Sequence, residues 1–193
     1  MDTKQEETQI FIHREKILDE QEKREVYEIL EECDQDFCPP LSYRSSTSQK
    51  QLTQVEDGKE GVRRYYEEIL QQPTLLVKRE GRTIGFMSYR IGYTCKELEH
   101  YGKVCYLTTL CIRPSERGRR LAPLIYRAVE SHIHSQYPDL VITLRTWSTN
   151  KAQLHLMDEL GYHCVARLEN DRGEGIDTVY YAKEPDKKIF KNY

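Results

Sequence analysis

The sequence predicts an α/β protein built around one mixed, mostly antiparallel sheet of six to seven strands, flanked by about four helices. Two short turns, REGR (79–82) and DRGEG (171–175), each separate two strand-like runs and therefore predict antiparallel hairpins. Helical patterns lie between other strands, as expected for crossover connections. The length of 193 residues suits a single domain spanning 1–193, with a polar C-terminal tail at 184–193.

The N-terminal part begins with one strand and two helices. The alternating segment TQIFIHR (8–14) predicts the first strand. A charged stretch at 15–33 predicts the first helix, because its apolar residues share one helical face. A loop rich in proline, serine and threonine follows at 34–49. Apolar residues at helical spacing predict the second helix at 62–70.

Three strands occupy the middle of the chain. The runs at 74–80 and 82–93 are the two arms of the first hairpin. After a polar loop at 96–103, the segment VCYLTTLCI (104–112) is apolar and rich in β-formers. Such a run is typical of a central strand that is covered on both faces.

A helix, a strand, a helix and two strands complete the predicted order. Apolar residues repeat at helical spacing over 121–133, and the apolar run at 140–147 predicts another central strand. The segment TNKAQLHLMDELGY (149–162) predicts a short helix. The runs at 162–170 and 176–184 form the closing hairpin.

Composition argues against several classes of protein. The formal net charge of −3 disfavours general nucleic-acid binding, which needs a basic excess or stripe. The N-terminal stretch MDTKQEETQ is polar, so no secretory leader is expected, and no apolar run is long enough to cross a bilayer. We therefore expect a cytoplasmic protein without nucleic-acid or membrane partners.

The six cysteines form no CxxC pair. We expect buried free thiols in a reducing compartment, rather than a disulfide framework or a zinc site. No bound metal is expected.

Positive charge is concentrated at RPSERGRRLAPLI (113–125), where a strand ends and a helix begins. The first N–H groups of a helix lack intrahelical partners and accept phosphate well. Gly118 permits a close backbone approach, and Arg117, Arg119 and Arg120 add side-chain charge. The alternative is a basic, solvated turn before a core helix, and the chemistry of this stretch leaves both open.

This stretch resembles the acetyl-CoA-binding motif of the GNAT superfamily of N-acetyltransferases, Q/R-x-x-G-x-G/A, which follows a strand and opens a helix. Arg117 matches the first position of the motif and Ala122 the last, while Arg120 replaces the middle glycine.

A second resemblance lies downstream. The family's other cofactor-side motif is an asparagine followed eleven residues later by glycine and an aromatic residue, as are Asn150, Gly161 and Tyr162. The predicted order of elements also resembles the GNAT fold over nearly the whole chain.

The resemblance implies where acetyl-CoA would bind. In the family the fourth strand splays from the fifth, the pantetheine arm lies in the gap, and the turn before the next helix holds the phosphates. Asn150 would bind the cofactor through its side-chain amide, a role compatible with its alternative role as a helix N-cap. The residues implied are Leu110, Cys111, Ile112, Arg117, Gly118, Arg119, Arg120, Leu121, Ala122 and Asn150.

Two positions that are catalytic in many family members hold other residues here. The strand position of the usual glutamate base is Tyr106, a weak catalytic candidate because the unperturbed pKa of tyrosine is about 10. Packing in the core or the substrate pocket is its favoured role. The helix position of the usual tyrosine acid is Met157, which cannot donate a proton. The base and the acid are therefore left unidentified.

The leading hypothesis is an N-acetyltransferase that transfers the acetyl group of acetyl-CoA to a primary amine of a small molecule or peptide. The alternative is a non-catalytic acyl-CoA-binding or sensing module, and a nucleic-acid binder is least supported. The acceptor, the acyl chain preference and the oligomeric state are left open, and a homodimer is compatible with the sequence. Acidic loop residues on the expected acceptor side suit a cationic amine: Asp34, Asp36, Glu169, Asp171, Glu174 and Asp177.

Overall fold

Seven strands form one mixed sheet in the computed structural model, which describes residues 8–13, 18–54 and 57–185. Across the sheet the order is β1-β2-β3-β4-β5-β7-β6, with β4 and β5 parallel and the other neighbouring pairs antiparallel. The predicted fold class is therefore confirmed. The strands are β1 (Thr8–His13), β2 (Thr74–Arg79), β3 (Arg82–Tyr93), β4 (Val104–Ile112), β5 (Ile142–Trp147), β6 (His163–Leu168) and β7 (Thr178–Lys183).

Four α-helices cover the two faces of the sheet in the described part of the chain: α1 (Glu20–Cys33), α2 (Arg63–Ile69), α3 (Leu121–Gln136) and α4 (Lys151–Leu160). The helices α3 and α4 pack on one face, and α1 and α2 pack on the other. Buried strands therefore contribute side chains to both cores, which explains the continuous apolar run of β4.

The first helix begins later than its predicted start at residue 15. Asp19 caps it, since its carboxylate accepts a hydrogen bond from the Glu22 backbone nitrogen (2.8 Å). The Glu22 carboxylate accepts one from the Asp19 backbone nitrogen (2.9 Å) in return. This reciprocal capping box fixes Glu20 as the first helical residue.

Two other predictions concern the C-terminal tail and membrane-spanning segments. Most of the expected polar tail lies outside the described residues, because the description ends at residue 185. None of the helices in residues 8–13, 18–54 and 57–185 is both long and apolar enough to cross a membrane.

Candidate functional site

The parallel strands β4 and β5 begin side by side and then separate. Their pairing ends where Leu107 lies opposite Leu144. Both strands continue beyond this point, β4 to Ile112 and β5 to Trp147. A wedge-shaped gap therefore opens between them, and residues 108–112 of β4 have no ladder partner on β5.

A β-bulge in β4 coincides with the point of separation. On β3, Ser88 lies opposite Thr109 and Tyr89 lies opposite Leu107, so Thr108 is an extra residue. A bulge bends its strand and increases the local twist. The bend accounts for the departure of β4 from β5.

Hydroxyl groups hold the bulge in place. The Thr108 hydroxyl donates to the Gln72 side-chain oxygen (2.6 Å) and lies 2.8 Å from the Ser88 hydroxyl. The Thr109 hydroxyl lies 2.9 Å from that of Tyr65, which is fully buried. The floor of the gap is thus fixed by partners on β3, α2 and the α2–β2 connection.

A cavity of about 730 Å³ lies at this gap, a volume suited to a small-molecule ligand. Of the predicted cofactor residues, Arg119 does not line it; its side chain is 54% exposed and lies 3.7 Å from the Glu116 carboxylate. The predicted residues that do line the cavity are Leu110, Cys111, Ile112, Arg117, Gly118, Arg120, Leu121, Ala122 and Asn150.

The turn between β4 and α3 has the backbone expected of an anion-binding loop. Gly118 has a φ of +76°, in the left-handed region. Arg120, which stands where the resembling motif has glycine, also takes a left-handed conformation with φ of +57°. The loop therefore follows a left-handed path without the second glycine. The N-terminus of α3 has no side-chain cap, which leaves its first N–H groups for a ligand.

Two arginines of this turn connect it to neighbouring helices. Arg117 donates to the Asp36 carboxylate (2.6 Å) and to the Cys33 sulfur (3.3 Å), just beyond and at the end of α1. Arg120 donates to the Glu159 carboxylate of α4 (2.7 Å). These contacts partly neutralise the positive charge of the turn. They also fix the turn, which lines the cavity, to the end of α1 and to α4.

Two thiols face each other in the wall of the cavity. A hydrogen bond with Cys111 lowers the pKa of Cys33, helped by the nearby Arg117, although burial opposes the shift. Burial raises the pKa of Cys111, and its hydrogen bond with Cys33 adds to the effect. Cys33 is therefore the more readily ionised thiol of the pair. All six cysteines are free.

Asn150 occupies the N-cap of α4 and also lines the cavity. Its side-chain oxygen accepts from the Gln153 backbone nitrogen (3.3 Å), and its side-chain nitrogen donates to the Thr146 hydroxyl (3.2 Å). The cap expected from the sequence is present. The cofactor role of Asn150 stays a prediction.

Asn150→Ala and Asn150→Asp are expected to separate these two roles. Both variants lack the amide donor and should raise the KM for acetyl-CoA. Asp can still accept from Gln153, so only Ala should lose the cap, at about 1 kcal/mol of unfolding free energy. Steady-state kinetics and denaturant unfolding on the same samples measure both quantities. An unchanged KM in both variants would restrict Asn150 to capping.

Tyr106 and Met157 stand at the positions where many members of the resembling family have their catalytic base and acid, and both side chains are buried. Tyr106 is 1% exposed and stacks on Tyr93, with ring centroids 4.4 Å apart. Burial raises its pKa, which makes it a still poorer base than free tyrosine. Met157 is 0% exposed and belongs to the core beneath α3 and α4. Neither residue is among those lining the cavity.

Several cavity residues had not been identified from the sequence. Tyr126 of α3 lines the cavity, and its hydroxyl accepts from the Gln153 side-chain nitrogen (2.6 Å). Arg145 and Trp147 of β5 and Phe37 after α1 form another part of the wall. Alternation along β5 places Arg145 and Trp147 on one face, but no sequence signal shows that this face meets a ligand. Among the described residues, no group of three or more histidine, cysteine or acidic side chains is placed to hold a metal ion.

A family model described as "Acetyltransferase (GNAT) family" matches residues 24–162. This match covers more than half of the chain, and the protein therefore belongs to the GNAT family of acetyltransferases. The family match makes acetyl transfer its general activity and acetyl-CoA its co-substrate. A search of curated proteins gives no significant match.

Solved structures share the fold at low sequence identity. The yncA protein of Salmonella typhimurium, solved with its cofactor acetyl-CoA, is 14% identical with a TM-score of 0.61, covering 96% of this chain and 98% of its own. An N-acetyltransferase from Staphylococcus aureus Mu50 is 13% identical with a TM-score of 0.61, over 92% and 98% of the two chains. Arabidopsis thaliana NAA60, in complex with a bisubstrate analogue, is 15% identical with a TM-score of 0.62, over 92% and 99%.

Proposed function

We propose that the protein is an N-acetyltransferase that transfers the acetyl group of acetyl-CoA to a primary amine on a small molecule or peptide. The observation that carries this proposal is one cavity that joins the β4–β5 gap to the basic turn before α3. Acetyl-CoA supplies the acetyl group as a thioester, an activated acyl donor.

The residues of the cavity fit this co-substrate. Peptide groups at 108–112 have no ladder partner on β5 and can pair with the amide groups of pantetheine. The turn at 117–122 offers backbone N–H groups and the positive end of the α3 dipole to a diphosphate. Between these two regions, apolar side chains such as Leu110 and Leu121 suit the aliphatic part of the arm.

The amine must lose a proton before it forms its bond to the acetyl carbon. The cavity-lining carboxylates are held by arginines, Asp36 by Arg117 and Glu159 by Arg120, and Tyr106 is buried. In the proposed reaction this proton goes to water or to the imidazole of His155, which also lines the cavity. Positioning of the two reactants can contribute about 7–11 kcal/mol to lowering the barrier.

The sulfur that leaves when the carbon–sulfur bond breaks needs a proton in return. The Tyr126 phenol is protonated at neutral pH, as tyrosine ordinarily is, and burial raises its pKa, which makes it a weaker acid than an exposed tyrosine. Because its oxygen accepts from Gln153, its own proton is directed to another acceptor. Tyr126 is the phenol among the cavity-lining residues, and we assign it the role of proton donor; the second proton, which the nitrogen loses as the amide forms, returns through water to the phenol.

A panel of primary amines, assayed by release of the CoA thiol and by mass spectrometry of the acetylated product, tests the proposed function. We expect amine-dependent thiol release above the rate of hydrolysis measured without amine. The burial of Tyr106 and Met157 keeps the non-catalytic acyl-CoA-binding module as the second candidate. Tight CoA binding in calorimetry, with no product from any amine, would favour that candidate.

A further inference from the structure

Three arginines lie next to the cavity on the face of the sheet that α1 and α2 cover. Arg145 of β5 is partly buried and lines the cavity. Arg172 comes from the β6–β7 connection and is 7% exposed, and Arg44, between α1 and α2, is 6% exposed. Arginine is almost never buried to this extent without a partner of opposite charge.

None of the three forms an ion pair within residues 8–13, 18–54 and 57–185. Their hydrogen-bond acceptors are neutral carbonyl and hydroxyl oxygens, and the carboxylate of Asp171 reaches Arg172 only through the Thr178 hydroxyl. The acceptors are Pro39 O (2.9 Å) and Cys38 O (3.3 Å) for Arg44, Thr178 Oγ1 (2.9 Å) and Cys38 O for Arg172, and Gln49 O (2.6 Å) and Tyr180 Oη (3.5 Å) for Arg145.

The three charges are close enough to affect one another. Burial, together with nearby Arg44 and Arg145, lowers the pKa of Arg172 to about 9. Burial also lowers the pKa of Arg44. Arginines remain protonated at neutral pH under these conditions. An anion placed among them would offset both the burial of charge and the mutual repulsion.

Of the six acidic residues expected to attract a cationic amine, Glu169 and Glu174 are exposed, and the other four have partners within the protein. Asp36 lines the cavity, where it is paired with Arg117. Asp34 accepts from the backbone nitrogen and hydroxyl of Ser42, and Asp171 accepts from the Thr178 hydroxyl. The one residue of this acidic group that lines the cavity is thus neutralised by an arginine, whereas Arg44, Arg145 and Arg172 have no ion-pair partner among the described residues.

Two aromatic rings connect the arginines to the cavity. Phe37 and Trp147 both line it, with ring centroids 5.9 Å apart. The Arg44 guanidinium lies 5.3 Å from the centroid of the Phe37 ring, and that of Arg172 lies 5.5 Å from the centroid of the Trp147 ring. Trp147 is also the only tryptophan of the sequence, so its fluorescence reports on this wall.

We propose that the acceptor amine carries an anionic group, a carboxylate or a phosphate, which Arg145 binds at the cavity wall. Arg44 and Arg172 raise the positive potential behind Phe37 and Trp147. The inference rests on the proposed function, because it assigns the acceptor of the same reaction. The inference also predicts that the protein binds anions when no acetyl transfer takes place, and this binding is measured separately from turnover.

Anion binding is tested by titrating the wild-type protein with inorganic phosphate and, separately, with acetate, while Trp147 fluorescence is recorded at constant ionic strength. Coenzyme A is present at saturation, so that the turn at 117–122 is already occupied. We expect a saturable change with one or both anions and none with chloride. A response to phosphate alone assigns a phosphate group, and a response to acetate alone assigns a carboxylate. No saturable response to either anion would overturn the proposal.

Arg145→Gln should weaken the anion response by about tenfold or more, since a hydrogen bond to a charged group contributes on the order of a factor of ten. The matched control is Arg127→Gln, which removes an exposed arginine from α3 on the opposite face of the sheet. It should bind the anion like the wild type. Equal weakening in both variants would show that net charge, rather than a site, causes the response.

A comparison of substrates on the wild-type protein tests the same inference without any variant that might fail to fold. An amine that carries a carboxylate or phosphate is compared with its neutral carboxamide or alcohol counterpart, and we expect a KM lower by about tenfold for the charged form. Acetyl transfer without this preference would overturn the inference and leave the proposed function standing. Saturable anion binding that Arg145→Gln weakens, without transfer to any amine, would remove the proposed function and leave the anion site.

Discussion

Gly118→Asp is expected to weaken the binding of coenzyme A by about ten- to a hundredfold. The new carboxylate would lie at the turn where the diphosphate is proposed to bind, and like charges a few ångströms apart at a protein surface repel by about 1–4 kcal/mol. Gly118 has a φ of +76°, and a Cβ there would meet no atom within 4 Å. Steric exclusion within the protein is therefore not the cause. Isothermal titration calorimetry measures the affinity, and circular dichroism measures the retention of the fold.

Gly118→Asn is the matched control for charge. Asparagine has nearly the shape of aspartate and tolerates the left-handed backbone about as well. It should therefore lose less affinity, and the difference between the two variants should shrink at high salt as screening increases. Equal affinities of the Asp and Asn variants would place the phosphates elsewhere.

Met157→Ala is expected to lower the free energy of unfolding by about 2–5 kcal/mol, because it leaves a cavity in the core beneath α3 and α4. Met157 does not line the cavity at the β4–β5 gap, so kcat and the KM for acetyl-CoA should change little. Met157→Leu conserves volume and should cost less than about 1.5 kcal/mol. Met157→Tyr would overpack the same core rather than supply a proton donor.

Tyr126→Phe is expected to show the opposite pattern to Met157→Ala, with a large effect on kcat and a small effect on stability. It removes the hydroxyl that accepts from Gln153 and should lower kcat on the order of a hundredfold if that hydroxyl protonates the leaving sulfur. Its loss of unfolding free energy should be smaller than that of Met157→Ala. The reverse pattern, with kcat lost in Met157→Ala and retained in Tyr126→Phe, would transfer the catalytic role to the methionine position.

The order of elements was predictable because hydrophobic periodicity is a local signal. Strands such as β4 (Val104–Ile112) and helices such as α3 (Leu121–Gln136) lie within a few residues of their predicted bounds. The capping box of Asp19 and Glu22, which the apolar pattern does not reveal, explains why α1 begins later than that pattern predicts.

The bulge in β4 had no such signal. Bulges are often marked by glycine, whereas here the extra residue is Thr108 in a continuous apolar run. The clustering of arginines beside the cavity could not be predicted from the sequence for another reason. Arg44, Arg145 and Arg172 are far apart in the sequence, and each taken alone resembles an ordinary surface arginine. Only the tertiary structure shows that they converge beside the cavity.

The extra residue at Thr108 divides β4 into two halves whose side chains alternate out of phase. Before it, Cys105 and Leu107 belong to the core under α3 and α4, and after it Cys111 belongs to the core under α1 and α2. Odd-numbered residues thus change sides within one strand. The first half anchors β5 through the parallel ladder, and the second half borders the cavity. The strand can therefore accept substitutions that change ligand preference in its second half without disturbing the ladder of its first. It cannot accept an inserted or deleted residue in either half, because a shift of one position would exchange the two faces.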